Sequence, residues 1–265
     1  MVKLLYATII LGLLAFADQI VSRCPGGLHR KSFWREIPRG DAPLRYSVRY
    51  MQEDDLPQVA EIDREAYPTQ WPYPAYAYKR ELNNHLASYI VIVETGVAWK
   101  QTGRNRNGHS LLGPLLQWFR HGSRAGAGTA KVCVPYIAGF AGVWRMLDEA
   151  HLTTIAVREN RRHRGIGELL LITVTDMAIE FKASVVTLEV RVSNHVAQAL
   201  YRKYGFKDAG TRKAYYSEDR EDALIMTTDA ITSEEFQTRF KELKQAHARR
   251  MTEADRQAGS IAEAT

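Results

Sequence analysis

The stretch from Ile155 to Asp222 constrains the fold more than any other part of the chain. An apolar strand ending in Ile155-Ala156-Val157 feeds a basic turn, Arg161-Arg162-His163-Arg164-Gly165-Ile166-Gly167, which opens an amphipathic helix reaching about Lys182. A second strand (Val185 to Val192) and a second helix (Asn194 to Tyr204) follow directly. Strands alternating with helices demand a layered α/β sheet, because each helix must bury its apolar stripe against the strands. The Gly-containing turn also presents unpaired backbone N–H groups at a helix N-terminus, an arrangement suited to a pyrophosphate.

The flanking sequence extends the same pattern. Leu44 to Tyr50 alternates as a strand, and Asp54-Asp55-Leu56-Pro57 starts a helix that should run to about Ala66. Pro68, Trp71, Pro72 and Pro74 force an aromatic turn before a helix from Ala75 to Leu86. Strands are expected over Ser88–Glu94, Tyr136–Met146 and His151–Val157, with two closing strands near Phe206–Tyr216 and Asp222–Thr228. Thr232, with Glu235 three residues on, reads as a capping box for a charged helix ending near Arg250 and followed by a frayed tail. This gives an N-terminal apolar segment and linker (1–43), one catalytic-sized domain (44–229) and a C-terminal charged helix and tail (230–265).

Two segments stand apart. Lys3, the apolar run Leu4 to Leu14 and Ala15-Phe16-Ala17 have the layout of a short signal peptide, too short for a comfortable membrane span. Export or membrane association through residues 4–17 is one reading and a start-site extension the other; the rest of the chain reads as a cytoplasmic enzyme. Between Glu94 and Asp148 no acidic residue occurs, while Lys100, Arg104, Arg106, Arg120, Arg124, Lys131 and Arg145 do. This basic insertion, about 97–133, joins two strands and is expected to be a solvated loop, with contact to RNA, the ribosome or an anionic membrane as its alternative. The net charge of +6 suits an anionic ligand without naming one. Cys24 and Cys133 form no CxxC pair, and no His/Cys cluster has zinc spacing, so neither a disulfide framework nor a metal is expected.

Gly165-Ile166-Gly167 lacks the third glycine of a dinucleotide fingerprint and the Lys-Ser/Thr ending of a nucleotide-triphosphate loop. The argument for anion binding therefore rests on the basic run Arg161–Arg164 and on glycines that let a ligand approach the backbone. Glu189 lies in the apolar strand Val185-Val186-Thr187-Leu188-Glu189-Val190, where an acid must be paired or used. Arg191, two positions on and so on the same face, is a ready partner for it. Tyr201 reads either as an interior tyrosine with a satisfied hydroxyl or as an acid.

Together these segments resemble the Gcn5-related N-acetyltransferase (GNAT) superfamily, and within it the ribosomal-protein-alanine N-acetyltransferases of the RimI group. The superfamily's Arg/Gln-x-x-Gly-x-Gly/Ala motif is met by Arg162, Gly165 and Gly167. The more specific runs lie at Leu188–Asn194, Ala197–Phe206, Arg212–Tyr216 and Glu221–Met226, and the likeness spans residues 44–229. It implies a single GNAT-like α/β domain with a mixed, mostly antiparallel central sheet flanked by helices, and acetyl-CoA as co-substrate without a metal. It implies Glu189 as general base, Tyr201 as general acid and Asn194 as a cofactor contact. Ile155, Ala156 and Val157 would meet the pantetheine arm, and Arg162, His163, Arg164, Gly165, Ile166, Gly167 and Glu168 the pyrophosphate. The loop Ala66–Pro72 resembles the family's substrate side. The expected reaction is direct acetyl transfer in a ternary complex to a protein N-terminus, first among them the N-terminal alanine of a small-subunit ribosomal protein. Lysine side chains or small amines are the alternative acceptors, and a non-catalytic ribosome- or RNA-binding module the alternative class.

Overall fold

A computed structural model of the protein describes residues 45–68, 75–99 and 134–263. The N-terminal apolar segment, residues 100–133 of the basic insertion and residues 69–74 of the aromatic loop lie outside the described residues.

Within the described residues seven strands form one sheet: β1 (Tyr46–Tyr50), β2 (Ala87–Ala98), β3 (Pro135–Met146), β4 (Glu149–Val157), β5 (Val185–Arg191), β6 (Phe206–Arg212) and β7 (Ala223–Thr228). Their spatial order is β1-β2-β3-β4-β5-β7-β6. The β4–β5 pair is parallel and every other neighbouring pair antiparallel, so the sheet is the mixed, mostly antiparallel one expected. Among the described residues five α-helices accompany it: α1 (Leu56–Ala66), α2 (Ala75–Leu82), α3 (Ile166–Glu180), α4 (His195–Lys203) and α5 (Glu234–Glu263). A parallel pair needs a crossover, and α3 supplies it between β4 and β5. Among the described residues no helix is long and apolar enough to cross a membrane.

Each face of the sheet has its own core. On one, Ile90, Ile92, Leu152, Val186, Leu188 and Met226 pack with Leu170, Leu171 and Val174 of α3. On the other, Val91, Ile137, Phe140 and Ala156 meet Val59 and Ile62 of α1 and Tyr78 of α2. Tyr78 sits edge-on to Tyr89 and Phe140, with centroids 5.9 and 5.7 Å away, and its hydroxyl donates to Asp63 at 2.6 Å. A buried phenol needs such a partner.

Helix α3 departs from the amphipathic reading, because it is buried nearly all round. Its outer side is covered by α5, whose Phe236, Phe240, Leu243 and Met251 join the same core. Lys244 of α5 adds an ion pair with Asp176 of α3 at 2.7 Å. The C-terminal reading needs two corrections. The helix continues to Glu263 rather than ending near Arg250, passing the start of α3 to where Asp255 accepts from the Arg45 N–H at 3.4 Å. Its cap is Ser233, whose hydroxyl accepts from the Phe236 N–H at 3.3 Å, not Thr232.

Candidate active site

The site begins where β4 and β5 part. Their parallel ladder runs from Glu149↔Val185 to Leu152↔Leu188 and goes no further, although β4 continues to Val157. At the same place a bulge interrupts β3–β4: Gly142 pairs with Thr154 and Val143 with Leu152, leaving Thr153 unpaired, its hydroxyl donating to the Gly142 carbonyl at 3.0 Å. One extra residue shifts the side-chain alternation. His151 and Thr154 consequently share the face turned away from α3, where an uninterrupted strand would set them on opposite faces.

Beyond the bulge, β4 keeps one edge on β3 and presents the other to the cleft. Arg158 N–H bonds the Ala138 carbonyl at 2.9 Å, so by alternation the backbone groups of Ala156 and Thr154 also face β3. Those of Ile155 and Val157 face the cleft: the Ile155 carbonyl accepts from the Tyr67 hydroxyl at 2.9 Å, and the Val157 carbonyl from Arg162 Nε at 3.4 Å. Of the three residues expected along a pantetheine arm, Ile155 and Val157 turn their amides to the open edge, while Ala156 spends its backbone on β3.

The turn into α3 has the anion-binding form, but its arginines serve otherwise than expected. Gly165 caps the helix in the left-handed region (φ 76°), and its carbonyl accepts from the Leu169 N–H at 2.9 Å. A Cβ on Gly167 would only touch Val157 Cγ2 and Leu200 Cδ2, at 3.8 and 3.9 Å, and without one the backbone is open to close approach. Arg161 is turned inward onto Glu94, a side chain with no exposed surface that also holds Arg45. Arg158 pairs with Glu61 and Glu65 of α1, and Arg162 donates to the Glu65 and Val157 carbonyls. These cations pin the loop to α1 and β2, which withdraws Arg162 from an anion and leaves the backbone amides with His163 and Arg164. Glu168, in the first turn of α3, accepts from Lys203, Tyr204 and Arg250. Burial works against its charge, but Lys203 and Tyr204 outweigh it and hold the carboxyl below its ordinary range.

Helix α4 is set by Asn194, whose Oδ1 accepts from the Ala197 N–H at 3.1 Å. That role is a helix cap, and it leaves the amide Nδ2 as the group able to donate to a ligand. Gln198 ties α4 to the end of β5 by donating to the Arg191 and Val192 carbonyls at 2.9 and 2.8 Å. Tyr201, on the same helix, is buried against Phe206, centroids 5.6 Å apart. Burial pushes its hydroxyl far above the ordinary phenol range, with Tyr67 and Tyr216 adding to the effect.

Glu189 is not paired with Arg191. His151 Nε2 lies 2.7 Å from its Oε2 and Arg212 Nη2 3.0 Å from its Oε1, with only 7% of the side chain exposed. Because a carboxylate only accepts, His151 must carry its proton on Nε2. Arg191 goes instead to Asp219 and Glu221, at 2.7 and 2.6 Å, and lies 3.9 Å from the Tyr216 ring centroid. This clasp folds the β6–β7 connection over the end of β5 and brings Arg212 and Tyr216 to Glu189. The Tyr216 hydroxyl is pushed up by burial and by Tyr67, with Glu189 adding to the shift and Arg191 opposing it. Tyr67, Tyr201, Tyr216 and Glu189 thus form one electrostatic neighbourhood at the mouth of the cleft.

Sequence reasoning missed His151 and the role of Arg212 here, and it placed Tyr67 only as a member of the substrate-side loop. His151 read only as a strand residue, and its approach to Glu189 follows from the β4–β5 register, His151↔Thr187, which no local pattern marks. Among the described residues no group of three or more His, Cys, Asp or Glu side chains is disposed to hold a metal.

Comparison with known proteins fits this geometry. Residues 56–206 match the acetyltransferase (GNAT) family. A Bacillus subtilis protein provisionally named a ribosomal-protein-bS18-alanine N-acetyltransferase is 32% identical over 180 residues, which cover 68% of this chain and 93% of that protein. An N-alpha-acetyltransferase of Saccharolobus solfataricus is 29% identical over 196 residues, 72% of this chain and 97% of its own. The crystal structure of the ribosomal-protein-S18-alanine N-acetyltransferase from Escherichia coli shares the fold, with a TM-score of 0.51 at 24% identity over 71% of this chain and 97% of the other. A parallel pair that opens beside a Gly-x-Gly helix start, and a family match spanning more than half of the sequence, lead to one conclusion: the chain belongs to the GNAT acetyltransferase family.

Proposed function

We propose that the protein transfers the acetyl group of acetyl-CoA to a protein N-terminal α-amine, with the N-terminal alanine of a small-subunit ribosomal protein as the leading acceptor. The names of the Bacillus and Saccharolobus relatives support the acceptor class. The observation that carries the reading is the clamp on Glu189. Both of its oxygens are held, by His151 and Arg212, and a base so engaged is suited to an amine that gives up its proton easily. A protein α-ammonium, with a pKa of about 8, does so far more readily than a lysine at about 10.4.

The donor would lie along the open edge of β4, its thioester carbonyl near the Val157 N–H and its diphosphate at the Gly165–Gly167 amides. Glu189, with His151 orienting its second oxygen, takes the ammonium proton. The neutral nitrogen then attacks the thioester carbon, and the Val157 N–H stabilises the oxyanion. Collapse breaks the carbon–sulfur bond and releases the second nitrogen proton. The thiolate takes up one, so one net proton leaves with each turnover. Tyr201 stays protonated at every working pH and acts as the hydrogen-bond donor to the departing sulfur. No covalent acyl-enzyme is required.

The test is mass spectrometry of peptides incubated with acetyl-CoA and the purified protein. One peptide starts with alanine in a ribosomal-protein context; the other has a blocked N-terminus and an internal lysine. Acetylation confined to the free α-amine is the expected result. Modification of the lysine peptide alone would move the acceptor to side chains, and a folded Glu189→Gln protein with full activity would remove Glu189 from the chemistry.

A further inference from the structure

The C-terminal helix lies outside the residues matched by the family, yet it reaches the loop assigned above to the diphosphate. His247, Arg250 and Met251 of α5, at the spacing that puts side chains on one helical face, all touch that loop. His247 Nε2 lies 2.9 Å from the Gly165 carbonyl oxygen, so this nitrogen carries the proton and donates it. Arg250 Nη2 donates to both oxygens of Glu168, at 2.8 and 2.9 Å. A Cβ on Gly165 would come within 2.9 Å of the Met251 sulfur and 3.1 Å of His247 Nε2, so the contact is close.

Glu168 explains why such a strap is needed. It stands in the first turn of α3, at the helix end where N–H groups and the helix dipole attract an anion. An unshielded carboxylate there repels a diphosphate and competes for the same amides. Lys203 Nζ at 2.5 Å and Tyr204 Oη at 2.6 Å engage one of its oxygens, and Arg250 spans both. The carboxylate is thereby neutralised and turned to the α4–α5 side of the loop. We infer that α5 is a working part of the acetyl-CoA site, with Arg250 and His247 as positioning residues: Arg250 screens Glu168 from the diphosphate, and His247 fixes the Gly165 peptide so that the following amides aim at it. The inference rests on the proposed placement of acetyl-CoA at this loop.

The experiment uses the full chain, with CoA binding measured by calorimetry and KM and kcat measured with acetyl-CoA and the alanine peptide. Arg250 is half exposed, so Arg250→Gln will fold. Its Kd for CoA and KM for acetyl-CoA should rise roughly three- to tenfold, the range of a charge at a helix N-terminus, with kcat within a factor of two. Glu168→Gln added to Arg250→Gln should restore both constants to within a factor of two of the parent, a rescue that a merely structural contact would not produce. His247→Gln, which keeps a donor near the Gly165 carbonyl, should bind CoA more tightly than His247→Leu. An Arg250→Gln protein with unchanged Kd, or a double variant as weak as the single one, would overturn the inference while leaving the acetyl-CoA reading standing. A parent protein that binds no CoA would overturn both.

Discussion

Glu94 is a single acid holding two arginines, and replacing it by glutamine separates charge from shape. Its side chain has no exposed surface, and its oxygens lie 2.8 Å from Arg45 Nη2 and 2.6 Å from Arg161 Nε. Glutamine fills the same volume but presents one acceptor oxygen and an NH2 group, so one guanidinium then faces a donor. Removing one partner of a buried ion pair costs about 3–5 kcal/mol. Arg45 is about one-third exposed and water will take up part of its charge, which places Glu94→Gln near the bottom of that range, at about 3 kcal/mol. For a folded unit of this size, each kcal/mol moves Tm by about 2–4 °C, so the midpoint should fall by about 6–12 °C. Differential scanning calorimetry reads the midpoint directly, and urea titration should show a lower Cm at unchanged slope. Arg161 ends the 3-10 turn leading to Gly165, so freeing it should also raise KM for acetyl-CoA more than it lowers kcat. A Tm within 2 °C of the parent would refute the reasoning, because it would mean that water already shares the work assigned to the carboxylate.

Three further outcomes follow from the geometry. Gly139→Ala would set a Cβ 2.7 Å from the Ala156 carbonyl and 3.3 Å from the Val157 Cα; backbone cannot yield cheaply, so a loss of about 1–3 kcal/mol in urea unfolding should come with a raised KM for acetyl-CoA. Tyr201→Phe should lower kcat by about ten- to a hundredfold without altering the alkaline limb of its pH profile up to pH ~10, since a hydroxyl pushed above the phenol range does not titrate there. His247 is held below the ordinary imidazole range by burial. A depressed pKa means that the unfolded chain takes up the proton first, so this histidine's contribution to stability is present above pH ~6.5 and is lost as pH falls toward the folded-state value. His247→Gln should flatten that acid slope in chemical unfolding measured from pH 7.5 to 5.

The order of strands and helices was legible because it depends on local periodicity, and most element boundaries in the structure fall within a few residues of those read from the sequence. The Gly165–Gly167 turn and the mid-strand Glu189 were legible as oddities, since each breaks a local rule that structure alone would not break. Their partners were not. Glu189 meets His151 and Arg212 through the β4–β5 register and a folded-over hairpin, while same-face spacing pointed to Arg191, which is drawn away by Asp219 and Glu221. The arginine run looked like an anion trap because sequence shows charge but not direction; Arg161 in fact points inward, to an acid 67 residues earlier. The length of α5 was hidden for a related reason. Its polar surface gives a weak pattern, and the α3 side chains and the Arg45 N–H that it meets are remote in sequence.

The parting of β4 from β5 also leaves a mark on proton exchange. A strand flanked on both sides usually carries the slowest amides of a domain. Here β4 is central in order but bonded on one edge only beyond Leu152. Amides at Thr154 and Ala156, directed at β3, should exchange with the core, whereas those at Ile155 and Val157 should exchange orders of magnitude faster from the middle of the same sheet. A pantetheine arm laid along that edge would supply the missing acceptors and act as a temporary eighth strand. The alternation of fast and slow amides along β4 should then vanish when CoA binds and return when it leaves.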